Sequence, residues 1–410
     1  MAVSRRGLLL AGGAFMTTST ESHAATAADE ARASAWLRAW DSQGIHRTAT
    51  PGDEAGAEWL AAEARAMVAS VAFESFAVSR IDTDAAFLDI EGDRMPGEKM
   101  FDAPDTPDGR VMALSSVGPG LSDPGEGDIH ILELPPTIVY SAEFTRYRRE
   151  SKSKALVIIT RGESPGLAPL NAEFFTKPYG PPILQMPSTD RDKIMAAAAR
   201  GAAMRVVARS RRTQTQARNV VVAIAGRDRA RKPLVVMTPR SSWWQSTSER
   251  GGGLVCWLEC LRALRANPPG RDVVMTANSG HELGHTGLDA FLAGRAGWDK
   301  ANAASWVHFG ANIGASGGQL FIQSNADDLR SLFQDELARA GRAPDRLAEK
   351  TIVPNGETRD IHLAGGHYLT LVGSNKLFHL PQDRYPDSVD VAGIARIAAG
   401  SAVAVVAVSR

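Results

Sequence analysis

The feature that most restricts the fold is an alternation that begins near residue 217. "NVVVAIAG", "PLVVMTP", "DVVMTANSG", "WVHFGANIG", "LFIQS" and "YLTLVG" are short runs rich in Val, Ile and Leu. Stretches with helical spacing lie between them, at 251–266, 287–294, 326–340 and 388–403. Strands that are apolar on both faces must be covered on both faces, and helices placed between them supply the cover. The expectation is an α/β fold with a mixed, mostly parallel central sheet and helices on both faces. Residues 28–110 would complete this unit from the N-terminal side. Residues 30–41 and 53–71 read as amphipathic helices, the second opened by Pro51-Gly52-Asp53 with Trp59, Leu60, Ala64 and Met67 on one stripe. Residues 72–110 turn irregular and strand-like. From 111 to 216 the texture changes again. "GRVMALSSVG", "PPTIVYSA", "KALVIITRG" and "PPILQMPS" are β-rich runs broken by Pro and Gly, with one Ala-rich helix, "RDKIMAAAARGA". This stretch reads as a small β-rich inserted domain, leaving 217–410 as the main α/β unit.

Charge and hydropathy narrow the partners. Lys plus Arg and Asp plus Glu number 46 each, a formal net charge of zero. Nothing there draws the chain to nucleic acid or to an anionic membrane. No run of about 18 apolar residues stands out, so no membrane-crossing helix is expected. The start of the chain resembles a twin-arginine leader: Ser4-Arg5-Arg6-Gly7-Leu8-Leu9-Leu10, then a weakly apolar stretch to residue 16. Small residues suited to cleavage follow at Ser22-His23-Ala24 and Ala25-Thr26-Ala27. Residues 1–27 are therefore set apart as a leader, which implies a periplasmic or secreted protein. The two cysteines, Cys256 and Cys260, are four apart in a helical segment. Their Cβ vectors run parallel, which is poor geometry for a bridge, so they read as small buried hydrophobes.

One motif asks for chemistry directly. His281-Glu282-Leu283-Gly284-His285 matches H-E-x-x-H, which on a helix places two histidines on one face to bind zinc. Its surroundings are those of a strand end. "DVVMTA" runs into Asn278-Ser279-Gly280, and Gly284 and Gly287 interrupt the first turns. His281 and Glu282 are therefore expected at a strand-to-helix junction, where α/β sheets carry their active sites.

That junction, "GHELGHTGLDAF", resembles the Gly-Glu-Glu turn of the co-catalytic zinc aminopeptidases, a group that takes in glutamate carboxypeptidase and the glutaminyl cyclases. Four other segments fall in the same order. "PLVVMTPRSSWW" is similar to the strand leading to the family's His-x-Asp. "SERGGGLVCWLECLRAL" is similar to its Asp-Asn-x-x-Gly and helix, "WVHFGANIGA" to its strand ending in Asp, and "KLFHLPQDRYPDSVD" to its last His element. Residues 111–216 resemble the protease-associated insert of such enzymes. The resemblance covers nearly the whole chain after the leader and implies the zinc-exopeptidase fold.

It also implies an altered site. The family's first His falls on Arg240, its neighbouring Asp on Ser242, its bridging Asp on Glu249 and its later Asp on Asn312. The base position, a Glu in the family, carries His281. Glu282 and His379 are retained. An always-charged Arg240 cannot ligate a metal. The resemblance leaves Glu249, Glu282 and His379 as three ligands for one zinc ion, with an open coordination place. His281 would act as general base, and Arg240 as an anion clamp or charge stabiliser. "GETRD" aligns with a substrate-side loop, which adds Glu357, Arg359 and Asp360. Asn312, Trp244 and His362 complete the substrate-side candidates, and His285, His308 and His367 stand near the same sheet edge. The function implied is an exported hydrolase of amide or peptide-like bonds acting on a small or short peptide-like substrate, with at most one catalytic metal. Two alternatives stay open. One is a metal-independent lyase or hydrolase using His281, Glu282 and Arg240. The other is a non-catalytic binding protein on the same scaffold.

Overall fold

The computed structural model describes residues 25–410 except 119, 126 and 302. Most of the leader expected over 1–27 lies outside the described residues. At its end Thr26 caps the first helix, accepting from the Asp29 N–H at 3.3 Å. Helices α1 (Ala27–Asp41) and α2 (Pro51–Arg65) come first, followed by strand β1 (Val71–Ile90). The expected irregular stretch from 72 is thus largely one 20-residue strand.

The module that follows contains β2 (Asp93–Pro96), β3 (Glu98–Lys99), β4 (Val111–Val117), β5 (Ile129–Leu134), α3 (Ala142–Glu150), β6 (Ala155–Thr160), β7 (Ile183–Pro187) and α4 (Arg191–Ala199). Strand β8 (Ala203–Ile224) leads out of it. Residue 216, the expected module boundary, falls inside β8. This strand pairs with β1 antiparallel along nearly its whole length, from Val71↔Val222 to Ile90↔Met204. One end of the β1–β8 ribbon belongs to the main sheet. The other carries the module's strands in the order β8-β4-β5-β6-β7-β3.

The main part continues with β9 (Leu234–Pro239), α5 (Gly252–Ala266), β10 (Val273–Asn278), α6 (Thr286–Ala293), β11 (Ser305–Phe309), β12 (Leu320–Ser324), α7 (Asp327–Arg339), β13 (Arg346–Leu347), α8 (Thr358–Leu363), β14 (His367–Gly373) and α9 (Val391–Ser409). The strand order is β13-β12-β14-β11-β9-β10-β8, and β10, β9, β11 and β14 run parallel to one another. Alternate residues feed two separate cores. Leu234 and Val236 pack with α1, α2, α5, α7 and α9, while Val235 and Met237 pack with α6 and α8. Helices therefore cover both faces, as the apolar runs predict.

Helix α9 corrects one expectation. It is long and apolar enough to cross a membrane by length and composition alone. Its apolar side chains join the same core as α5 and α7, which accounts for that composition.

Candidate active site

The C-terminal ends of β9, β10, β11 and β14 lie side by side, and the loops leaving them carry most of the expected site residues. After β10 the chain turns through Gly280 (φ 83°), a short 3-10 turn at His281–Leu283, Gly284 (φ 68°) and His285 (φ 60°). A Cβ on Gly280 would run into Thr286 Oγ1, so the turn requires glycine there. Three successive left-handed breaks keep H-E-x-x-H off a helix. Its two imidazoles lie 5.2 Å apart, tilted at 35°. Asn312 (φ 66°) and His379 (φ 60°) are also held in the left-handed region. Strained backbone at non-glycine residues on one sheet edge is a mark of functional sites.

At the centre is Glu357. Its side chain is fully buried, and neither carboxylate oxygen has a hydrogen-bond partner. Oε1 lies 3.9 Å from His281 Nδ1, and Oε2 lies 3.5 Å from His308 Nε2. Both ring nitrogens are buried and unpartnered. The other nitrogen of His308 sits 2.7 Å from Thr370 Oγ1 and 2.5 Å from Thr358 Oγ1, which fixes the ring. Burial holds His281 well below its ordinary value, and the Arg250 charge adds to this. His285 behaves differently. Burial would lower it, but Asp360, 2.7 Å from Nδ1, overrides burial and raises it to about 9.

Next to this group stand Glu249, Arg250 and His379. Asp383 caps their turn, accepting from the Ser248 N–H at 2.8 Å and the Glu249 N–H at 3.0 Å. Arg250 Nη2 lies 2.7 Å from Glu249 Oε1, and His379 Nε2 lies 3.5 Å from the same oxygen. Burial would raise Glu249, but Arg250 and His379 hold it down at about 2. His379 Nδ1–H donates to the Pro169 carbonyl at 2.6 Å, leaving Nε2 bare toward Glu249. A cavity of about 490 Å³ opens onto this edge. His281, His308, Asn312 and Phe378 line one side, and Tyr140 and Arg161 of the module line the other.

Several expected site residues serve other ends. Arg240 is fully buried away from the cavity, paired with Asp53 Oδ1 at 2.7 Å and donating to the Arg218 carbonyl at 2.6 Å and to the Asp53 carbonyl. Its charge is spent on α2 and β8, so it is no substrate clamp. Glu282 accepts from the Thr48 N–H at 2.7 Å and from Ser241 Oγ at 2.6 Å. It is a tether between loops, and burial raises its pKa. Trp244 donates to the His379 carbonyl at 2.8 Å and so positions that loop. Arg359 reaches Glu173 of the module at 3.0 Å, and Asp360 serves His285. His362 pairs with the Tyr368 hydroxyl at 3.0 Å on α8. His367 opens β14, at the sheet edge opposite the site, beside Asp328 at 3.4 Å. Asn312 does line the cavity, held by its N–H to the Glu249 carbonyl at 2.9 Å.

No family model matches the sequence, and no curated protein matches it. Solved structures do. A zinc aminopeptidase from Bacillus subtilis, BSAP, superposes at a TM-score of 0.73 with 13% identity, over 92% of this chain and 94% of that one. A Peptidase M28 precursor from Shewanella amazonensis SB2B gives 0.73 at 14% identity, over 93% and 95%. An aminopeptidase from Aneurinibacillus sp. strain AM-1 gives 0.68 at 13%, over 92% and 93%. The chain has the zinc-aminopeptidase fold.

On this zinc-aminopeptidase fold, the zinc ligands that the resemblance implies do not fit an ion. Both Glu282 oxygens are already committed, at 2.7 and 2.6 Å. Glu249 faces a guanidinium. A divalent ion about 4 Å from that charge would be repelled by roughly 8 kcal/mol at an effective dielectric of about 20. Among the described residues, no group of three His, Cys, Asp or Glu side chains is arranged to hold a metal ion. Two residues absent from the sequence reading matter most here. Arg250 supplies the buried charge. Ser241 binds Arg250 Nε–H through its carbonyl at 2.8 Å, and through its hydroxyl meets Glu282 and the His281 N–H. The signal for Arg250 was available: a Glu-Arg pair directly before Gly251-Gly252-Gly253, where a helix packs too closely for its first charges to face water.

Proposed function

We propose that the protein is a peptidase-like hydrolase of amide bonds in a small or short peptide-like substrate, bound in the 490 Å³ cavity. The observation that supports this most is the fully buried Glu357 carboxylate, unpartnered, between His281 at 3.9 Å and His308 at 3.5 Å. Such a group is expensive to keep unless a substrate or its water uses it. His281, on the cavity wall, takes a proton from the attacking water as oxygen bonds to the carbonyl carbon. Glu357 offsets the imidazolium charge. When the C–N bond breaks, the same proton goes to the leaving amine. This is the metal-independent alternative with Glu357 in the place first given to Glu282. The test is turnover on aminoacyl amides, N-acyl amino acids and dipeptides. His281→Ala should lower kcat by roughly 10²–10⁴-fold, and Glu357→Gln by a comparable factor. Wild-type protein inert on the whole panel, or a His281→Ala variant as fast as wild type, would sink the reading. Export through the twin-arginine leader belongs to the same proposal, and replacing Arg5 and Arg6 by lysine should leave the protein in the cytoplasm on fractionation.

A further inference from the structure

We propose that Arg250 is the resident cation of this cleft, standing where the resemblance places a zinc ion and polarising the substrate carbonyl in its stead. Glu249 and His379 are two of the three residues left as metal ligands by the resemblance. In the fold they face one another across 3.5 Å, and the Arg250 guanidinium stands 2.7 Å from the same Glu249 oxygen. The guanidinium is held for a purpose other than packing. Its Nε–H is fixed on the Ser241 carbonyl at 2.8 Å, and the side chain is 1% exposed. Nη2 is engaged with Glu249, while the buried Nη1 has no hydrogen-bond partner. A planar guanidinium oriented from behind through Nε, with one arm on Glu249 and Nη1 left unsatisfied, is suited to an oxygen on which negative charge develops. Ser241 also holds the His281 N–H at 3.0 Å, so one residue sets the spacing between the cation and the proton acceptor.

The step balances without a metal. Water adds to the carbonyl carbon, the carbonyl oxygen gains the electron pair and is held by Arg250, and the water proton moves to His281. Collapse returns the pair, breaks the C–N bond and delivers that proton to the amine. The inference rests on the hydrolase reading, so two measurements separate their failures. The first is turnover. Arg250→Ala should lose at least 10²–10³-fold in kcat, the scale of one lost oxyanion donor. Guanidinium ion, added well below denaturing concentrations, should restore at least tenfold of that. Arg250→Lys should stay impaired because it lacks the fork. The second is a zinc titration read by calorimetry and metal analysis. Wild type should take up no zinc at Glu249 and His379, and Arg250→Ala should bind it at least tenfold more tightly. One tightly held zinc per wild-type chain, lost in Glu249→Gln and His379→Ala, overturns the inference whatever the activity. So does an Arg250→Ala variant that guanidinium leaves unchanged. A wild type inert on every substrate, with zinc bound only after Arg250→Ala, removes the hydrolase reading and upholds the placement of the cation.

Discussion

The Ser241 hydroxyl accepts from the His281 N–H at 3.0 Å and donates to Glu282 at 2.6 Å, while its carbonyl receives Arg250 Nε–H at 2.8 Å. Replacing it with alanine strands a buried carboxylate oxygen and a buried N–H. Each stranded group costs about 1–3 kcal/mol, so Ser241→Ala should destabilise by roughly 2–6 kcal/mol. It should also slow turnover, because His281 loses its anchor. Denaturant titration beside kcat checks both, and an unchanged midpoint would contradict this account. At this scale the types of chemistry were legible, whereas the directions of side chains were not. His281, Glu249 and His379 stand together because a strand-end motif fixes where they emerge. Glu357 could be marked from its turn, but not its central place. Arg240 stood out because the resemblance places it on the family's first His. Its direction is set by Asp53, on a helix far away in sequence, and no local pattern carries that information.

The connection between α1 and α2 shows how elements are locked under the site. His46 lies in it, fully buried and stacked on Trp40 with centroids 3.5 Å apart. Its Nδ1 sits 3.1 Å from the Gln245 carbonyl, and its own carbonyl receives the Ser242 N–H at 3.0 Å. Two residues on, Thr48 holds Glu282. Burial drives His46 down to about 3, and the Arg240 charge pushes the same way, against the Gln245 hydrogen bond. The folded pKa is thus below the unfolded value of about 6.5. The unfolded chain takes up the proton first as pH falls, so this stability is present above about 6.5 and drains away toward pH 3. Between pH 7 and 4.5 wild type should lose about 2.5 kcal/mol more than His46→Gln. Equal losses in the two proteins would rule out His46 as the cause. Elements themselves were largely legible, because apolar runs and helical stripes report burial locally. The H-E-x-x-H segment was legible as a non-helix from its glycines. Helix α9 was not recognised as one long apolar span, since its Gly and Ser positions, closely packed against other helices, break the run by eye.

Across the whole molecule the module and the main part share one ribbon and one site wall. The module's 169–172 segment holds three site elements: the Pro169 carbonyl accepts from His379 at 2.6 Å, Asn171 from Trp243 at 2.9 Å, and the Ala172 N–H donates to the Glu282 carbonyl at 2.8 Å. Composition marked a β-rich module but could not mark its edge. A strand paired end to end keeps the same alternation in both sheets, so nothing in β8 changes at residue 216. That continuity has a thermodynamic consequence. Unfolding the module would strip the far ends of β1 and β8 of their pairing with β2 and β4 and free the loop that buttresses His379. The two parts should therefore melt together. All eight tryptophans lie outside residues 71–216, so tryptophan fluorescence reports the main part, while far-UV circular dichroism reports both. The two denaturation curves should coincide. Asn171→Ala, which leaves the buried Trp243 N–H unpaired, should shift both midpoints by the same amount, a loss of about 1–3 kcal/mol. A fluorescence transition finished while the dichroism still shows a folded fraction would mean that the module holds its structure alone, and that the ribbon joins two independent units.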